Sequence, residues 1–248
     1  MRLFQYWDTG DPPDDVAAWV ESFRSLNPEM RHRLFSRDDA AWFIKKHLGD
    51  RELRAFDVCA VPAMQADYFR LCAMFAKGGV YSDADYFCLK PLNELAALTP
   101  KSLVALLDDQ FMNSFLLCRT AGNPYLGACL DLATLNIEER RVSSPFTATG
   151  PGVLNAIRVL LDPAAAPGVL AAYDNAICSE WGFPETITLA RAAIAVTATL
   201  REAFAAMTVM PFGQLRSWIG RGYPAYQRTA VHWRNWDGSI YADTTRQA

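Results

Sequence analysis

Long apolar runs are missing from this chain of 248 residues. No stretch reaches the ~18–20 apolar residues that a helix needs to cross a bilayer, and the opening MRLFQYW lacks the apolar core and cleavage site of a signal peptide. The six cysteines are scattered without a CxxC pair, which favours reduced, buried thiols over a disulfide framework. We therefore expect a cytoplasmic protein without a transmembrane segment, with peripheral membrane contact left open.

An excess of basic residues is also missing. The 24 Lys and Arg are outnumbered by 27 Asp and Glu, which gives a net charge of −3. This balance excludes the broad positive surface typical of nucleic-acid-binding proteins. Any anionic ligand would have to be held locally, by a metal ion or a few arginines. The 51% of hydrophobic residues is ordinary for a globular domain and argues against disorder.

Strand and helix patterns alternate along the first part of the chain. Residues 2–7 and 30–36 are β-prone, and an amphipathic helical pattern separates them. Ser36 is a good N-cap for a helix that would end near Gly49. A strong helix is predicted over 62–77, with proline at its start and a Gly-Gly pair after its end. This alternation predicts an α/β fold with a mainly parallel sheet flanked by helices, in a single domain.

The later segments give weaker patterns. Residues 102–107 and 113–118 are buried-strand candidates, and a short strand is expected near 207–212. The Ala-rich segment 186–206 is apolar, and no assignment follows from its pattern.

The stretch GGVYSDADY (78–86) contains two aspartates, Asp83 and Asp85, separated by one alanine. On a strand both would face the same side, and two like charges so close require a cation or a proton. An exposed strand end or turn is the ordinary explanation of such a pair. The functional alternative is a divalent cation, because carboxylate oxygens are the hard ligands that Mg²⁺ and Mn²⁺ take.

The helix before this pair carries Asp67 and Arg70, three residues apart on one face. A surface ion pair is the simplest explanation of such spacing. The helix nevertheless runs directly into the glycine turn that precedes Asp83, so the two pairs form one continuous arrangement.

Residues 63–92 closely resemble the glycosyltransferase sugar-binding region containing a DXD motif. That group includes fungal α-mannosyltransferases, capsular and lipopolysaccharide sugar transferases, and the catalytic domains of glucosylating bacterial toxins. The matching features are an Asp-x-x-Arg helix with an alanine before the aspartate, a glycine turn, the Asp-x-Asp pair and a Pro-Leu exit. They correspond here to Ala63 or Ala66 with Asp67 and Arg70, Gly78-Gly79-Val80-Tyr81, Asp83-Ala84-Asp85, and Leu89-Lys90-Pro91-Leu92.

The resemblance implies a GT-A type, Rossmann-like fold and a metal-dependent, retaining sugar transfer. The donor would be a UDP- or GDP-sugar, the metal Mn²⁺ or Mg²⁺, and the acceptor a glycan, a lipid-linked molecule or a protein, as in bacterial polysaccharide biosynthesis. Residues 1–120 would bind the donor and metal. Residues 121–248 would form the acceptor side and a closing tail.

The resemblance also assigns roles to individual residues. The catalytic set would be Asp67, Arg70, Asp83 and Asp85, of which the first three would also contact the donor. Further donor-binding residues would be Trp7, which would stack on the base, Asn113 in the sugar pocket and Trp236 in the closing tail. The metal would be held by Asp85, Asp83 and His232. The segment ATGPG (148–152) resembles an element that opens a helix beside the donor.

Two departures from the family pattern limit these assignments. The first strand has Phe-Gln-Tyr-Trp where the family usually has Ile-His-Gln-x-Trp, and residues 165–210 match no element of the family. The resemblance therefore predicts the chemistry of the donor site. It does not identify the donor's sugar, the donor's base or the acceptor.

Three other functions are considered. A non-catalytic protein of the same fold would bind a nucleotide or glycan without turnover. A sugar nucleotidyltransferase would usually carry a glycine-rich basic loop after its first strand, where this chain has DTGDPPDD. The DTG at 8–10 lacks the flanking residues and second copy of an aspartic protease.

Overall fold

The computed structural model describes residues 1–173, 182–223, 236 and 238–242, and a six-stranded sheet lies at the centre of these ranges. The strands in chain order are β1 (Arg2–Tyr6), β2 (Arg31–Phe35), β3 (Gly79–Ser82), β4 (Tyr86–Cys88), β5 (Ser102–Leu107), β6 (Gln110–Cys118), β7 (Met207–Pro211) and β8 (Ile219–Arg221). Strands β4 and β8 form a separate two-stranded ribbon, and the other six form the sheet.

Helices cover this sheet. In chain order they are α1 (Asp14–Leu26), α2 (Arg37–His47), α3 (Asp50–Val58), α4 (Pro62–Lys77), α5 (Leu92–Ala97), α6 (Pro124–Glu139), α7 (Pro145–Ala148), α8 (Pro151–Leu161), α9 (Ala166–Tyr173), α10 (Phe183–Ala193), α11 (Ala198–Ala205) and α12 (Phe212–Leu215), with a 3₁₀ turn at Pro163–Ala165. None of those in the described ranges has both the length and the apolar character needed to cross a bilayer.

The sheet is mixed, with strand order β2-β1-β3-β6-β5-β7. Strand β1 is parallel to β2 and to β3, and β7 is parallel to β5, whereas β6 is antiparallel to both of its neighbours. Parallel pairing brings the carboxyl ends of β1, β2 and β3 to one edge of the sheet, where open α/β sheets bind their ligands. The predicted α/β fold with a mostly parallel sheet is confirmed.

Helix α4 forms the centre of the main hydrophobic core. Proline at its first position and Gly78 at its C-cap, with φ of +61°, set the predicted limits. Buried side chains occupy almost every face of the helix, including those of Met64, Tyr68 and Leu71. A helix that is buried all round is fixed by contacts on every side, so the polar residues on α4 are held rigidly.

A glycine is required at the first position of β3. Gly79 has φ of +116°, and a Cβ there would lie 2.6 Å from the backbone oxygen of Arg2. The Gly-Gly pair therefore lets β3 approach β1 closely enough to pair, and it directs the chain toward Asp83.

Most sequence-predicted elements lie where they were expected. Ser36 caps α2 by accepting a hydrogen bond from the backbone N–H of Asp39 at 3.1 Å. The strands predicted at 102–107 and near 207–212 are β5 and β7, and 113–118 is the second part of β6. Five of the six cysteines lie in the described ranges, and these five are buried free thiols.

The placement of the DXD pair was left open between a strand and a turn. The stretch 80–90 is two strands joined by a turn, and Asp83 and Asp85 lie in that turn rather than on a strand. The Ala-rich segment that had no assignment forms parts of α10 and α11.

Candidate functional site

The turn between β3 and β4 presents the two aspartates at the carboxyl edge of the sheet. The residue between them, Ala84, points inward and packs in a small cluster with Val16 and Val20 of α1. The backbone N–H of Asp83 donates to the carbonyl of Ser114 on β6 at 2.9 Å. A small buried side chain in the middle of the turn thus fixes the acids on either side of it.

Arg70 connects helix α4 to this turn. Its Nη1 atom lies 3.0 Å from Oδ1 of Asp67, and its Nη2 atom donates to Oδ1 of Asp83 at 2.6 Å. The guanidinium also lies over the Tyr81 ring, 4.7 Å from its centroid. Its side chain is only 4% exposed, so the interpretation of Asp67 and Arg70 as a surface ion pair is wrong. Arg70 instead holds two carboxylates from different elements in one place.

Asp67 lies where three elements meet. Besides Arg70, its Oδ1 atom accepts a hydrogen bond from the Asn113 side chain of β6 at 2.9 Å. Its Oδ2 atom faces Gly150, where a Cβ would lie only 3.0 Å away. Gly150 caps α8, so the predicted helix opening in ATGPG is confirmed and lies against Asp67.

Burial raises the pKa values of the three aspartates, and repulsion by Asp83 adds to the rise for Asp67 and Asp85. Burial raises the pKa of Asp67 to about 6, with a further increase from Asp83, while Arg70 and Asn113 oppose the rise. Burial, then the charge of Asp83, raises the pKa of Asp85 to about 7. Burial also raises the pKa of Asp83, against the effect of Arg70. Three carboxylates are therefore concentrated where negative charge is costly.

A second arginine, Arg221, reaches the turn from β8. Its Nε atom lies 3.6 Å from Oδ2 of Asp85. Sequence analysis missed this residue because β8 has only three residues and pairs with β4 across more than a hundred positions of the chain. The small signal available was an arginine between two glycines, GRG at 220–222.

The other predicted site residues are placed differently. Trp7 directly follows β1 and packs against the cluster that contains Ala84. It therefore adjoins the turn that carries Asp83 and Asp85. Trp236 packs against the main core and donates its indole N–H to the carbonyl of Ser239 at 3.2 Å. His232 lies outside the described residues. The structure thus brings together Asp67, Arg70, Asp83, Asp85 and Asn113, with Trp7 beside them.

The turn that carries Asp83 and Asp85 offers the carboxylate oxygens that a hard divalent cation prefers. Two carboxylates lie in one short turn, and the charge of Asp83 raises the pKa of Asp85, which shows the repulsion that a cation would relieve. Within the described ranges no cluster of three or more His, Cys, Asp and Glu residues is suited to a metal. Two acids would leave further coordination positions to water, the ligand or residues outside these ranges.

Residues 13–102 match the family described as "Glycosyltransferase sugar-binding region containing DXD motif". The predicted family resemblance is confirmed. This DXD region includes Asp67, Arg70, Asp83 and Asp85, whereas Trp7, Asn113, His232 and Trp236 lie outside it.

Two relatives match a little more than a third of this chain. The chain is 29% identical over 93 residues to the initiation-specific alpha-1,6-mannosyltransferase of Schizosaccharomyces pombe, covering 35% of this chain and 24% of that protein. The Saccharomyces cerevisiae protein of the same name is 26% identical over 100 residues, covering 38% of this chain and 21% of that protein. The chain therefore spans about a quarter of the length of these relatives.

The fold likeness extends well beyond the DXD region. The solved structure of the PaToxG glycosyltransferase superposes with a TM-score of 0.54 at 16% identity, covering 89% of this chain and 88% of that one. At this identity the likeness shows the fold, which is the predicted GT-A type.

Proposed function

We propose that this protein is a metal-dependent glycosyltransferase that transfers a sugar from a nucleotide-sugar donor. The observation that carries the proposal is the bridge made by Arg70, which joins the acid of α4 to the first aspartate of the DXD turn in one buried cluster. Three buried carboxylates at the ligand-binding edge of an α/β sheet are costly, and such clusters are typical of functional sites.

The exposure of each side chain suggests a division of roles. Arg70 is 4% exposed and both of its Nη atoms are engaged, so it positions the two carboxylates. Asp67 and Asp83 are 12% and 26% exposed, and each has an Oδ2 atom besides the Oδ1 atom that Arg70 contacts. We assign these atoms to hydroxyl groups of the donor. Holding the sugar in one orientation is how such contacts accelerate transfer.

The DXD turn would hold Mn²⁺ or Mg²⁺ through Asp83 and Asp85, with His232 as a further proposed ligand. When bound, the ion supplies Lewis-acid stabilisation of the negative charge on the departing diphosphate. Trp7 is proposed to stack on the base, since it adjoins the turn beside Ala84. Asn113 holds Asp67 in place, and a role for Trp236 in closing the site is proposed from the family resemblance alone.

The proposed transfer retains the configuration of the anomeric carbon. The bond from that carbon to the phosphate oxygen breaks, and its electron pair stays on the phosphate. The acceptor hydroxyl forms the new bond from the same face and passes its proton to that phosphate oxygen. No protein base is then required.

The acceptor is proposed only as a class, namely a glycan, a lipid-linked molecule or a protein bound by residues 121–248. The curated relatives named above are mannosyltransferases of yeasts. Mannose-bearing donors therefore belong in any donor screen, beside the UDP-sugars. A cytoplasmic location and a role in polysaccharide biosynthesis stay predictions.

Thermal stabilisation by UDP- and GDP-sugars, with and without Mn²⁺, tests the proposal, because a ligand that binds the native state raises its stability. We expect one donor to raise the Tm only when Mn²⁺ is present, and Asp85→Asn to lose this effect while keeping its fold. A donor that binds equally well in EDTA, or to Asp85→Asn, would contradict the metal role.

Turnover separates the proposal from its alternatives. Release of free sugar or a glycosylated product from the stabilising donor supports a transferase. Binding without any release would indicate a non-catalytic protein of this fold. Diphosphate release from a nucleoside triphosphate would indicate a nucleotidyltransferase.

A further inference from the structure

Strand β8 is fixed against the residues that immediately follow the DXD turn. It pairs with β4 in antiparallel register, with Arg221 opposite Tyr86. Just beyond the strand, the backbone N–H of Gly222 donates to the carbonyl of Asp85 at 2.7 Å. The main chain around Arg221 is therefore held directly beside the second aspartate.

The two glycines around Arg221 allow this close approach. A Cβ on Gly220 would lie 2.2 Å from the Phe87 ring, and one on Gly222 would lie 2.2 Å from the Trp19 ring. Alternate residues of an extended chain share a face. The glycine face is thus covered by aromatic rings, and Arg221 lies on the other face, toward Asp85.

Arg221 and Arg70 hold their aspartates in different ways. The Arg70 Nη2 atom lies 2.6 Å from Asp83, and its side chain is 4% exposed. The Arg221 Nε atom lies 3.6 Å from Asp85, and its side chain is 38% exposed. The Tyr86 and Tyr223 rings flank the Arg221 guanidinium with centroids 6.0 and 5.8 Å away. Arg70 is a buried, closely bonded group, whereas Arg221 makes a loose contact that it can exchange for another.

We propose that Arg221 is a donor-positioning residue that exchanges Asp85 for the diphosphate of the donor when a divalent cation binds. This inference rests on the proposed function. A divalent cation at Asp85 and the guanidinium of Arg221 carry like charges and compete for the same carboxylate. The diphosphate offers the guanidinium a new anionic partner, and arginine binds phosphate oxygens with paired hydrogen bonds.

The exchange predicts opposite effects on two binding constants. Without nucleotide, Arg221 competes with the metal, so Arg221→Gln should tighten the binding of Mn²⁺ alone by several-fold. With saturating Mn²⁺, the same variant loses a charge-assisted contact to the diphosphate. Binding of UDP or GDP should then weaken by about 10-fold or more. A residue that merely supports the fold would not move the two constants in opposite directions.

Calorimetry and Mn²⁺ electron paramagnetic resonance on the whole chain measure both constants. The first titration uses MnCl₂ alone, and the second uses UDP and GDP at saturating MnCl₂. Arg221→Lys, which keeps the charge without the planar fork, should retain near-wild-type Mn²⁺ binding and lose part of the nucleotide affinity. Arg216→Gln removes an exposed arginine from the preceding helix end and serves as the matched control, with no change expected in either constant.

The outcomes distinguish this inference from the function on which it rests. If the wild-type protein binds Mn²⁺ and Arg221→Gln leaves that binding unchanged or weakens it, only the role of Arg221 is overturned. Absence of Mn²⁺ binding to the wild-type protein, both alone and with UDP or GDP, overturns the metal-dependent function and this inference together. Tighter Mn²⁺ binding combined with weaker nucleotide binding in Arg221→Gln supports the exchange.

Discussion

Arg70 and Asp83 lie 13 positions apart in the chain, and 2.6 Å separates the Nη2 atom of the first from the Oδ1 atom of the second. The contact joins a buried helix to the turn that carries the acid pair. Because Arg70 also contacts Asp67, a change at any of the three residues alters the charge balance of the other two.

Asp67→Asn should separate chemistry from nucleotide binding. The amide oxygen can still accept from Asn113, so we expect a folded protein that binds nucleoside diphosphate almost as the wild type does. Loss of the carboxylate that orients the sugar should lower kcat by about 100-fold. Steady-state kinetics and calorimetry measure the two effects. Glu138→Gln, which breaks an exposed ion pair with Arg51 elsewhere on the surface, is the control and should leave kcat unchanged.

Asp85→Asn should stabilise the metal-free protein at neutral pH. The pKa of Asp85 is raised from 3.8 to about 7, so between these values the native state binds more protons than the unfolded state. The free energy of unfolding contributed by Asp85 therefore falls as pH rises through this window. The neutral variant avoids the loss, which is on the order of 1 kcal/mol or more at pH 7 and above.

Urea unfolding in EDTA at pH 5 and pH 8 measures this effect. Asp11→Asn, in the exposed loop between β1 and α1, is the control. If the advantage of Asp85→Asn does not grow between the two pH values, the carboxylate is not the strained group inferred from its burial.

His32 should contribute a pH dependence of the opposite sign. Burial, and then the charge of Arg24, lowers the pKa of His32 from 6.5 to about 4, so between these values the unfolded state binds more protons. Its contribution to stability is complete above about pH 6.5 and is lost as pH falls toward 4. The difference in the free energy of unfolding between wild type and His32→Gln, measured with urea, separates the contribution of His32 from that of the aspartates. A difference that stays constant from pH 4.5 to pH 7 would contradict the prediction.

Gly150→Ala should displace Asp67 by steric contact alone. The new Cβ would lie 3.0 Å from Oδ2 of Asp67 and 2.9 Å from backbone atoms of Phe146. We expect weaker donor binding and lower turnover than in wild type. Gly213→Ala is the matched control, because its added Cβ would meet nothing within 4 Å apart from its own residue, its chain neighbours and the backbone of its own helix. Equal activity of the two variants would show that the start of α8 is not part of the donor site.

The sequence was sufficient to predict the elements whose determinants are local. Proline and glycine set both ends of α4, and Ser36 caps α2, so these helices are predictable from a few neighbouring residues. The grouping of Asp67 and Arg70 with the DXD pair followed from the glycine turn that joins them, and the family resemblance agreed with it. That resemblance did not reveal that Arg70 is buried and shared between two acids, because burial depends on the packing of α4 against the whole domain.

Other features depend on contacts between distant parts of the chain. The sequence left the DXD pair open between a strand and a turn, and in the structure β3 ends at Ser82 and the chain turns so that Ala84 can pack against α1. Arg221 was missed because only the pairing of β4 with β8 brings it to Asp85. The single-domain organisation and the acceptor role of residues 121–248 stay predictions.

The β4–β8 ribbon makes the far end of the chain a structural neighbour of the acid turn. A chimaera that exchanged the last third of this protein for that of a relative would therefore also replace Arg221, the backbone donor to Asp85 and the glycines that admit the aromatic rings. An exchange intended to transplant acceptor preference would alter the proposed cation site as well, unless residues 219–222 were kept together with β4.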